Sequence, residues 1–262
     1  MDNDIGHRLR LLQSISDDER ILLRHIVDLG QNSQLSGRSR YSCFLDERQL
    51  ALCTISLEQH LSEGGDIPEY ELLGGYDKAE RRVIVFSGYG YTVPFSPVVF
   101  RGRDVGKLSH RDFLGTLMSL DIKREMIGDI LVGEKQTVVF VMNSVLPVVE
   151  EITKVGGVGV TIDHDFHESY VPEKKFEIIN ATVKSLRIDA VLSDAISVSR
   201  EKAQAFIRSE GVLLNHLMTF DPSERVNEGD VFSLRGRGKF MLNRVGGMSK
   251  KDRIFITIHK YK

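Results

Sequence analysis

The segment from residue 97 to residue 163 constrains the fold most, because short apolar runs and helical stretches follow one another there in a fixed order. Runs rich in Val, Ile and Phe predict strands at 97–103, 129–133, 136–142 and 158–163. Helical periodicity predicts helices at 109–120 and 144–155, and Gly133-Glu134 predicts a hairpin between the middle two strands. The resulting order, β-α-β-β-α-β, predicts a ferredoxin-like sheet with two helices.

The sequence before this segment predicts helices. Ser16 and Glu19 have the spacing of a capping box and precede an amphipathic run, so a helix is expected to start there. A second helix is predicted at 46–62, with a polar loop at 32–40 between the two. Arginines in that loop are candidates for contact with a polyanion, although solvation is the ordinary role of such residues.

Glycine and proline mark the boundaries between regions. A cluster of both between residues 64 and 76 predicts the end of the helical segment, and a strand is predicted next at 82–88. The predicted class is α+β, in three regions: a helical segment (1–75), an RRM-like domain (76–170) and a C-terminal domain (175–262).

Composition excludes several classes of protein. The longest apolar runs are far shorter than the roughly 18 to 20 residues that span a membrane. The first residues, MDNDIGHRLRLL, carry too many charges for a secretory signal. We therefore expect a cytoplasmic protein with no membrane partner.

Residues that commonly bind metals do not fall at ligand spacing. Cys43 and Cys53 have no second pair or nearby histidine, so neither a disulfide framework nor a zinc site is indicated. His164 and His167 lie among acids at 162–173, but that loop composition offers no third fixed ligand. We expect no metal, no cofactor and no small-molecule substrate.

Charge is distributed unequally along the chain. Residues 184–262 hold 15 Lys and Arg against 9 Asp and Glu, a net charge of +6, whereas residues 1–183 hold 20 against 28, a net charge of −8. The last 28 residues contain nine basic residues and a single acid, Asp252. Because Ile254, Ile256 and Ile258 alternate as in a half-buried strand, these charges are expected on packed structure suited to a polyanion.

The triplet His110-Arg111-Asp112 is the motif that most suggests catalysis, since protein kinases carry it in their catalytic loop. A kinase needs an asparagine five positions after the aspartate to hold magnesium, and here that position is Leu117. No Gly-rich phosphate loop stands between a strand and the next element. The kinase interpretation is therefore rejected.

The segment SREKAQAFIRSEG (199–211) predicts a short helix that Ser199 caps and Gly211 ends. Three apolar positions share the face expected to be buried: Ala203, Phe206 and Ile207. Three polar positions share a neighbouring face, called here the guanidinium stripe: Arg200, Gln204 and Arg208. Guanidinium groups bind phosphate through parallel N–H groups, so the stripe predicts a phosphate-binding surface.

A second basic element follows at RGRGKF (235–240), called here the Gly-Arg ribbon. Its glycines let a backbone approach closely, and its cations can contact phosphates: Arg235, Arg237 and Lys239. We predict that the ribbon and the guanidinium stripe form one continuous surface that binds folded RNA. Guanidinium groups held in carboxylate pairs would contradict this prediction.

Residues 187–240 resemble the RNA-binding domain of small-subunit ribosomal protein S-four, the alpha-L motif. The matching positions are Arg187 and Asp189, the block SREKAQAFIRSEGVLLN, and Gly229, Asp230 and Arg235. The resemblance implies two helices with a β-hairpin that grip structured RNA. The contact residues it implies are Arg187, Ser199, Arg200, Lys202, Gln204, Arg208 and Asn215. Departures from the pattern are Ile188 and His216, and the second affects a turn.

Nearly the whole chain, about 8–262, is similar to the YlmH family. The most specific blocks are GGYDKAERRVIVF (74–86), LSHRDFLGTLMSLDIKREMIGDI (108–130) and the C-terminal position of the RNA-binding module. The resemblance implies a ribosome-associated RNA-binding protein without assigned chemistry, linked to stalled large-subunit complexes with peptidyl-tRNA and to cell division. Expected partners are therefore ribosomal RNA or tRNA and the large ribosomal subunit.

A secondary RNA contact is predicted in the middle region from its basic residues: Arg101, Arg103, His110, Arg111, Lys123 and Arg124. Three alternatives to a non-enzymatic RNA-binding protein remain open. They are an RNA-modifying enzyme resembling pseudouridine synthases, a tyrosyl-tRNA synthetase suggested by GMSKK (247–251), and a cell-division adaptor. The synthetase lacks its partner motifs here, and about 90 residues between 76 and 165 are few for a pseudouridine synthase sheet.

Overall fold

The computed structural model describes residues 15–171 and 176–261, and the chain divides into two compact units, residues 1–172 and 173–262. Predictions for residues 1–14, 172–175 and 262 lie outside the described residues. The predicted boundary near residue 75 falls inside the first unit, so a separate helical domain there stays a prediction. None of the described helices combines the length and apolar character needed to cross a membrane.

Helix α1 (Asp17–Ser36) comes first among the described residues of the first unit, and the capping box at Ser16 and Glu19 is confirmed. Ser16 N donates to the Glu19 carboxylate at 2.8 Å, and Glu19 N donates to Ser16 Oγ at 3.2 Å. The helix continues to Ser36, five residues into the predicted polar loop, and ends at Gly37 in the left-handed region. Within the extension Ser33 is buried, and its Oγ donates to the Arg38 carbonyl at 2.8 Å.

A small sheet accompanies the two N-terminal helices. The sequence predicted the helices and a strand at 82–88, but it did not predict the sheet. Helix α2 (Glu47–Ser62) follows strand β1 (Arg40–Tyr41) and precedes β2 (Tyr70–Leu73). Strand β3 (Val83–Phe86) is fully buried and pairs with both, in the antiparallel order β1-β3-β2.

The predicted β-α-β-β-α-β order is confirmed. Its elements are β4 (Phe95–Arg101), α3 (His110–Ser119), β5 (Ile127–Val132), β6 (Gln136–Met142), α4 (Leu146–Glu150) and β9 (Thr161–Asp163). The antiparallel order β5-β6-β4-β9 is the ferredoxin-like one. Short 3-10 turns lie at Val105–Lys107, Arg124–Met126 and Glu168–Tyr170.

Helix α4 is shorter than the predicted 144–155. The chain leaves the helix after Glu150 and forms a hairpin of β7 (Lys154–Val155) and β8 (Val158–Gly159). Gly156 and Gly157 between these strands have φ of 51° and 85°, a conformation that a continuing helix cannot contain.

Both faces of the ferredoxin-like sheet are covered. One face packs Val98, Phe100 and Val139 against Phe113 and Leu117 of α3. The opposite face packs its own residues, Val99, Val138 and Phe140, against the N-terminal part of the unit, represented by Phe44, Val83 and Val85. RNA recognition modules stack bases on an open sheet face. That mode of binding is blocked here because the face is buried within its own unit.

The second unit contains the two short helices, α5 (Ile188–Ala195) and α6 (Arg200–Glu210). Its strands are β10 (Phe176–Val183), β11 (Val212–Leu214), β12 (Leu217–Thr219), β13 (Val231–Leu234), β14 (Gly238–Met248) and β15 (Ile254–Tyr261). They form one antiparallel sheet in the order β10-β15-β14-β13-β11-β12. Ile256 and Ile258 are 3% and 0% exposed, which confirms the predicted half-buried strand.

Candidate nucleic-acid interface

A buried carboxylate organises the polar side of the two short helices. Asp189, in the first turn of α5, is 0% exposed. Arg187 donates to it through Nε and Nη2 at 3.2 Å each. Arg200, the first residue of α6, donates through Nε and Nη2 at 3.1 and 3.0 Å. Gln204 donates through Nε2 at 2.6 Å. These four residues are called the Asp189 cluster.

The Asp189 cluster presents positive charge to solvent. The side chains of Arg187 and Arg200 are 39% and 42% exposed, whereas the carboxylate has no exposed surface. Burial raises the pKa of Asp189, but the hydrogen bonds from Arg187, Arg200 and Gln204 outweigh burial and hold that pKa below its ordinary value. Each guanidinium group has five N–H donors, so donors remain for an anion after Asp189 is bound.

The guanidinium stripe is therefore partly corrected. Arg200 and Gln204 were predicted to project freely toward phosphate, and Arg187 was implied as a contact, but all three bond to Asp189. Their first role is structural, since they neutralise a carboxylate that has left water. The Arg187-x-Asp189 spacing within the apolar run RIDAVL is the sequence signal that could have indicated this buried partner.

Other predicted contacts on α6 are exposed. Ser199 caps the helix by accepting from Lys202 N at 3.3 Å, as predicted. The side chains of Lys202 and Arg208 are exposed, and neither is paired with a carboxylate of the described residues. These two cations are available to a polyanion without breaking an internal contact.

The Gly-Arg ribbon contacts α6 through Arg237. The Arg237 guanidinium carbon lies 4.5 Å from the centroid of the Phe206 ring. Phe206 was predicted to be buried, but it is only partly buried and supports this cation, whereas Ala203 and Ile207 are each 0% exposed. The turn of the Gly-Arg ribbon depends on Gly236, whose φ is 70°.

The ribbon and the guanidinium stripe lie on opposite sides of the helix. At about 100° per residue, Lys202 and Phe206 project on one side of the buried face and the guanidinium stripe projects on the other. The predicted single surface is therefore corrected to two positive edges, one carrying Arg237 and the other carrying Arg208. Arg235 is exposed at the ribbon turn, and Lys239 Nζ lies 5.2 Å from the centroid of the Tyr261 ring.

Asn215 has a structural role in a tight turn. Asn215 and His216 have φ of 46° and 68° and join β11 to β12, as a two-residue hairpin turn requires. The Asn215 amide donates to Asp230 at 2.7 Å and accepts from Val231 N at 2.9 Å. Its implied RNA contact is corrected to a turn contact, because both ends of the amide are bonded internally.

The predicted secondary contact separates into internal and exposed residues. Arg101 pairs with Asp163 at 2.6 Å. Arg124 donates to the carbonyl of Ile127 at 2.6 Å, and burial lowers its pKa to about 10. Burial and the charge of Arg124 also lower the pKa of His110, so His110 adds no charge near neutral pH. The exposed basic residues are Arg103, Arg111 and Lys123.

Asp112 of the kinase-like triplet begins a helix. Its carboxylate accepts from Ser109 N at 2.7 Å and from Ser109 Oγ at 2.8 Å at the start of α3. These hydrogen bonds lower the pKa of Asp112. Asp112 is therefore the capping partner of Ser109, and this structural role accounts for the residue without a catalytic one.

Two further motifs have structural contacts. His164 bonds to the Pro97 carbonyl at 3.0 Å and to Glu150 at 2.9 Å, and His167 pairs with Asp165 at 3.2 Å. Within the described residues no cluster of His, Cys, Asp and Glu could hold a metal ion. The GMSKK segment ends β14 and forms the turn before β15, where Ser249 N donates to the Arg253 carbonyl at 2.7 Å.

Comparison with known proteins places the chain. The family model described as "Putative RNA-binding domain in YlmH" matches residues 102–168. The chain is 31% identical over 260 residues to the ribosome-associated protein quality control protein P2 of Bacillus subtilis (strain 168), across 96% of this chain and 99% of that protein. The solved structure of cell division protein ylmH from Streptococcus pneumoniae is similar with a TM-score of 0.49 and 14% identity, over 60% of this chain and 97% of that one. Because the Bacillus protein aligns over nearly its whole length, the chain belongs to the YlmH family, as its sequence blocks predicted.

Proposed function

We propose that the protein binds structured RNA without catalysing a reaction, and that its ligand is ribosomal RNA or tRNA on the large ribosomal subunit. The observation that carries the proposal is the Asp189 cluster. A carboxylate with no exposed surface orients two guanidinium groups whose side chains are 39% and 42% exposed. Such pre-oriented donors lose little conformational freedom when they bind phosphate.

The exposed cations on both edges of α6 extend this surface. Lys202 and Arg208 on the helix and Arg235 and Arg237 on the ribbon are free of carboxylate partners within the described residues. A folded RNA presents phosphates at several heights around a helix, so two positive edges suit a structured RNA better than a single extended strand.

The comparisons support the ribosome as the place of binding. The Bacillus subtilis relative is named a ribosome-associated quality control protein, and the matching family model is described by RNA binding. In line with the family resemblance of the sequence, we propose that the bound state is a stalled large-subunit complex that carries peptidyl-tRNA.

Salt dependence of binding tests the proposal. Purified large subunits are titrated with the full chain between 50 and 200 mM salt. If about five phosphates are neutralised, the slope of log affinity against log salt is about −4 to −5. A slope near zero would contradict an electrostatic RNA contact.

Two controls distinguish the alternatives. A cell-division adaptor would not sediment with large subunits at low salt, whereas the proposed protein would. An RNA-modifying enzyme would convert uridine in transcribed ribosomal RNA with turnover, whereas the proposed protein would leave the RNA chemically unchanged at every ratio tested.

A further inference from the structure

We infer that Tyr89 and Arg38 form a second RNA contact in the first unit, at which an unpaired base stacks on the phenol ring and its phosphate meets the guanidinium group. This inference rests on the proposed RNA binding and adds a nucleotide-sized site to it. The site lies where the loop after β3 returns alongside the residues that follow α1.

The ring of Tyr89 is exceptionally exposed for a large apolar group, at 91%. Tyr91, two positions after Tyr89, and Tyr41, three positions after Arg38, are 43% and 48% exposed. Leu35, two positions before Gly37, is 86% exposed and adds a second apolar group beside the same loop. Exposure of single apolar residues is common, so the geometry of the backbone must decide whether this ring has a role.

The backbone under the ring is fixed. Tyr89 N donates to the Gly37 carbonyl at 2.6 Å, and the Tyr89 carbonyl accepts from Ser39 N at 3.1 Å. Ser39 Oγ donates to the Gly88 carbonyl at 2.9 Å. A Cβ atom on Gly88 would lie 2.6 Å from Arg38 C and Ser39 N, so only glycine permits this approach. The ring therefore stands on a clamped loop and has only two torsions to order on binding.

Arg38 supplies a cation beside the ring. Arg38 and Tyr89 are partners in a parallel bridge, so their side chains leave the same side of the backbone pair. Arg38 is exposed and has no carboxylate partner within the described residues. The neighbouring acid Glu71 accepts from the Tyr91 hydroxyl at 3.3 Å.

An aromatic face next to a guanidinium group is the combination that binds single-stranded nucleic acid. The ring offers stacking to any base and the cation offers charge to the phosphate. A protein partner would more commonly require an apolar pocket that encloses an anchor residue. The residues around Tyr89 include Gly88, Gly90 and Ser87, which leave the ring open rather than enclosed.

A fluorescence experiment tests the contact directly, because the chain contains no tryptophan. The variant Y89W carries a single indole at the site, and the matched control I21W carries one on α1, where Ile21 is 65% exposed. Both full-length variants are titrated with a ten-nucleotide oligoadenylate. We expect saturable quenching of Y89W fluorescence by base stacking and no saturable change in I21W.

Affinity measurements complete the test. Tyr89→Ala should weaken oligoadenylate binding roughly tenfold, and Tyr89→Phe should retain the affinity, since the ring and not the hydroxyl stacks. Arg38→Ala should make the salt slope shallower by about one.

Three other outcomes would overturn the inference or its basis. If large subunits bind the chain while Y89W fluorescence is unchanged by oligoadenylate, the Tyr89 site is wrong and the proposed function stands. If no RNA binds anywhere on the chain, the proposed function fails. If the Y89W indole responds to RNA-free ribosomal proteins and not to oligoadenylate, the loop is a protein contact.

Discussion

Two aspartates, one in each unit, differ in the arginine groups that bond to them. In the first unit Asp129 accepts from the Tyr76 hydroxyl at 2.8 Å, from Glu80 N at 2.8 Å and from Arg81 N at 3.0 Å. The Arg81 guanidinium then turns inward and donates to the carbonyls of Ile127 at 2.9 Å and Phe44 at 3.0 Å. In the second unit Asp189 is the buried group, and its two arginines bond to it through their guanidinium groups while about two-fifths of each side chain stays exposed.

The difference shows why basic residues alone do not indicate a binding surface. Burial lowers the pKa of Arg81, and burial, followed by the charge of Asp129, raises the pKa of Tyr76, so both groups belong to the interior. Arg187 and Arg200 satisfy Asp189 and remain about two-fifths exposed. Asp129 holds the segment around Tyr76 and Arg81 inside the first unit, whereas the arginines of the Asp189 cluster place positive charge at the surface.

Replacing Asp189 should have the largest effect on stability. In Asp189→Ala the two arginines lose their shared counter-ion and Gln204 loses its acceptor, so we expect a loss of about 3 to 5 kcal/mol. Urea unfolding followed by circular dichroism measures it. A loss below about 1 kcal/mol would show that the cluster is not a structural centre.

Arg81→Ala should destabilise the first unit by about 2 to 4 kcal/mol, because buried carbonyls lose a charged donor. Lys78→Ala, at an exposed position in the same block, should change stability by less than about 0.5 kcal/mol. The salt slope of large-subunit binding should be unchanged in folded Arg81→Ala. A shallower slope would place Arg81 at the RNA surface and remove the contrast between the two aspartates.

Acid should weaken the second unit through Asp189. The pKa of Asp189 is lowered in the folded state because hydrogen bonds from its partners outweigh burial, so the stabilisation is present above the unfolded pKa of about 3.9. It is lost as the pH falls through the lower folded pKa. Asp189→Asn should therefore show a shallower decline in unfolding free energy below about pH 4, measured by urea titration at several pH values. An identical decline would assign the acid sensitivity to other carboxylates.

Arg208→Ala should separate binding from folding. Arg208 has no carboxylate partner within the described residues, so its loss should weaken large-subunit binding about three- to tenfold without changing the unfolding midpoint. Arg200→Ala should affect both measurements, because Arg200 also holds Asp189. Equal stability losses in the two variants would contradict the division of roles.

Arg237→Ala should have a small effect on stability, about 0.5 to 1 kcal/mol, because it removes a single cation–π contact with Phe206. Arg237→Lys should retain part of the contact. The urea midpoint of the second unit measures both variants, and no change in either would show that the ribbon is not held by Phe206.

Local patterns predicted much of the fold. The capping box of α1, the Ser199 cap of α6 and the β-α-β-β-α-β order depend on residues that are close in sequence. The continuous apolar run in β6 predicted a strand. It did not predict that both faces of the sheet are buried. That burial depends on Phe44 and Val83, which are distant in sequence.

The candidate site was predicted less completely for the same reason. Composition and helical spacing identified the cations of α6 and the ribbon. They did not reveal that Asn215 completes a turn, that Arg124 points to a carbonyl, or that Phe206 supports Arg237. Each of these contacts is selected by packing among segments and leaves no periodic signal.

By itself the sequence determined the caps of α1 and α6, the order of elements in the ferredoxin-like segment, where positive charge concentrates, and which family the chain resembles, because these properties depend on neighbouring residues and on composition. Only the tertiary structure decided which cations face solvent. A buried carboxylate must find donors wherever the fold brings them, so Asp189 takes Arg187, Arg200 and Gln204 from three points of the chain and fixes the direction of the surface they form.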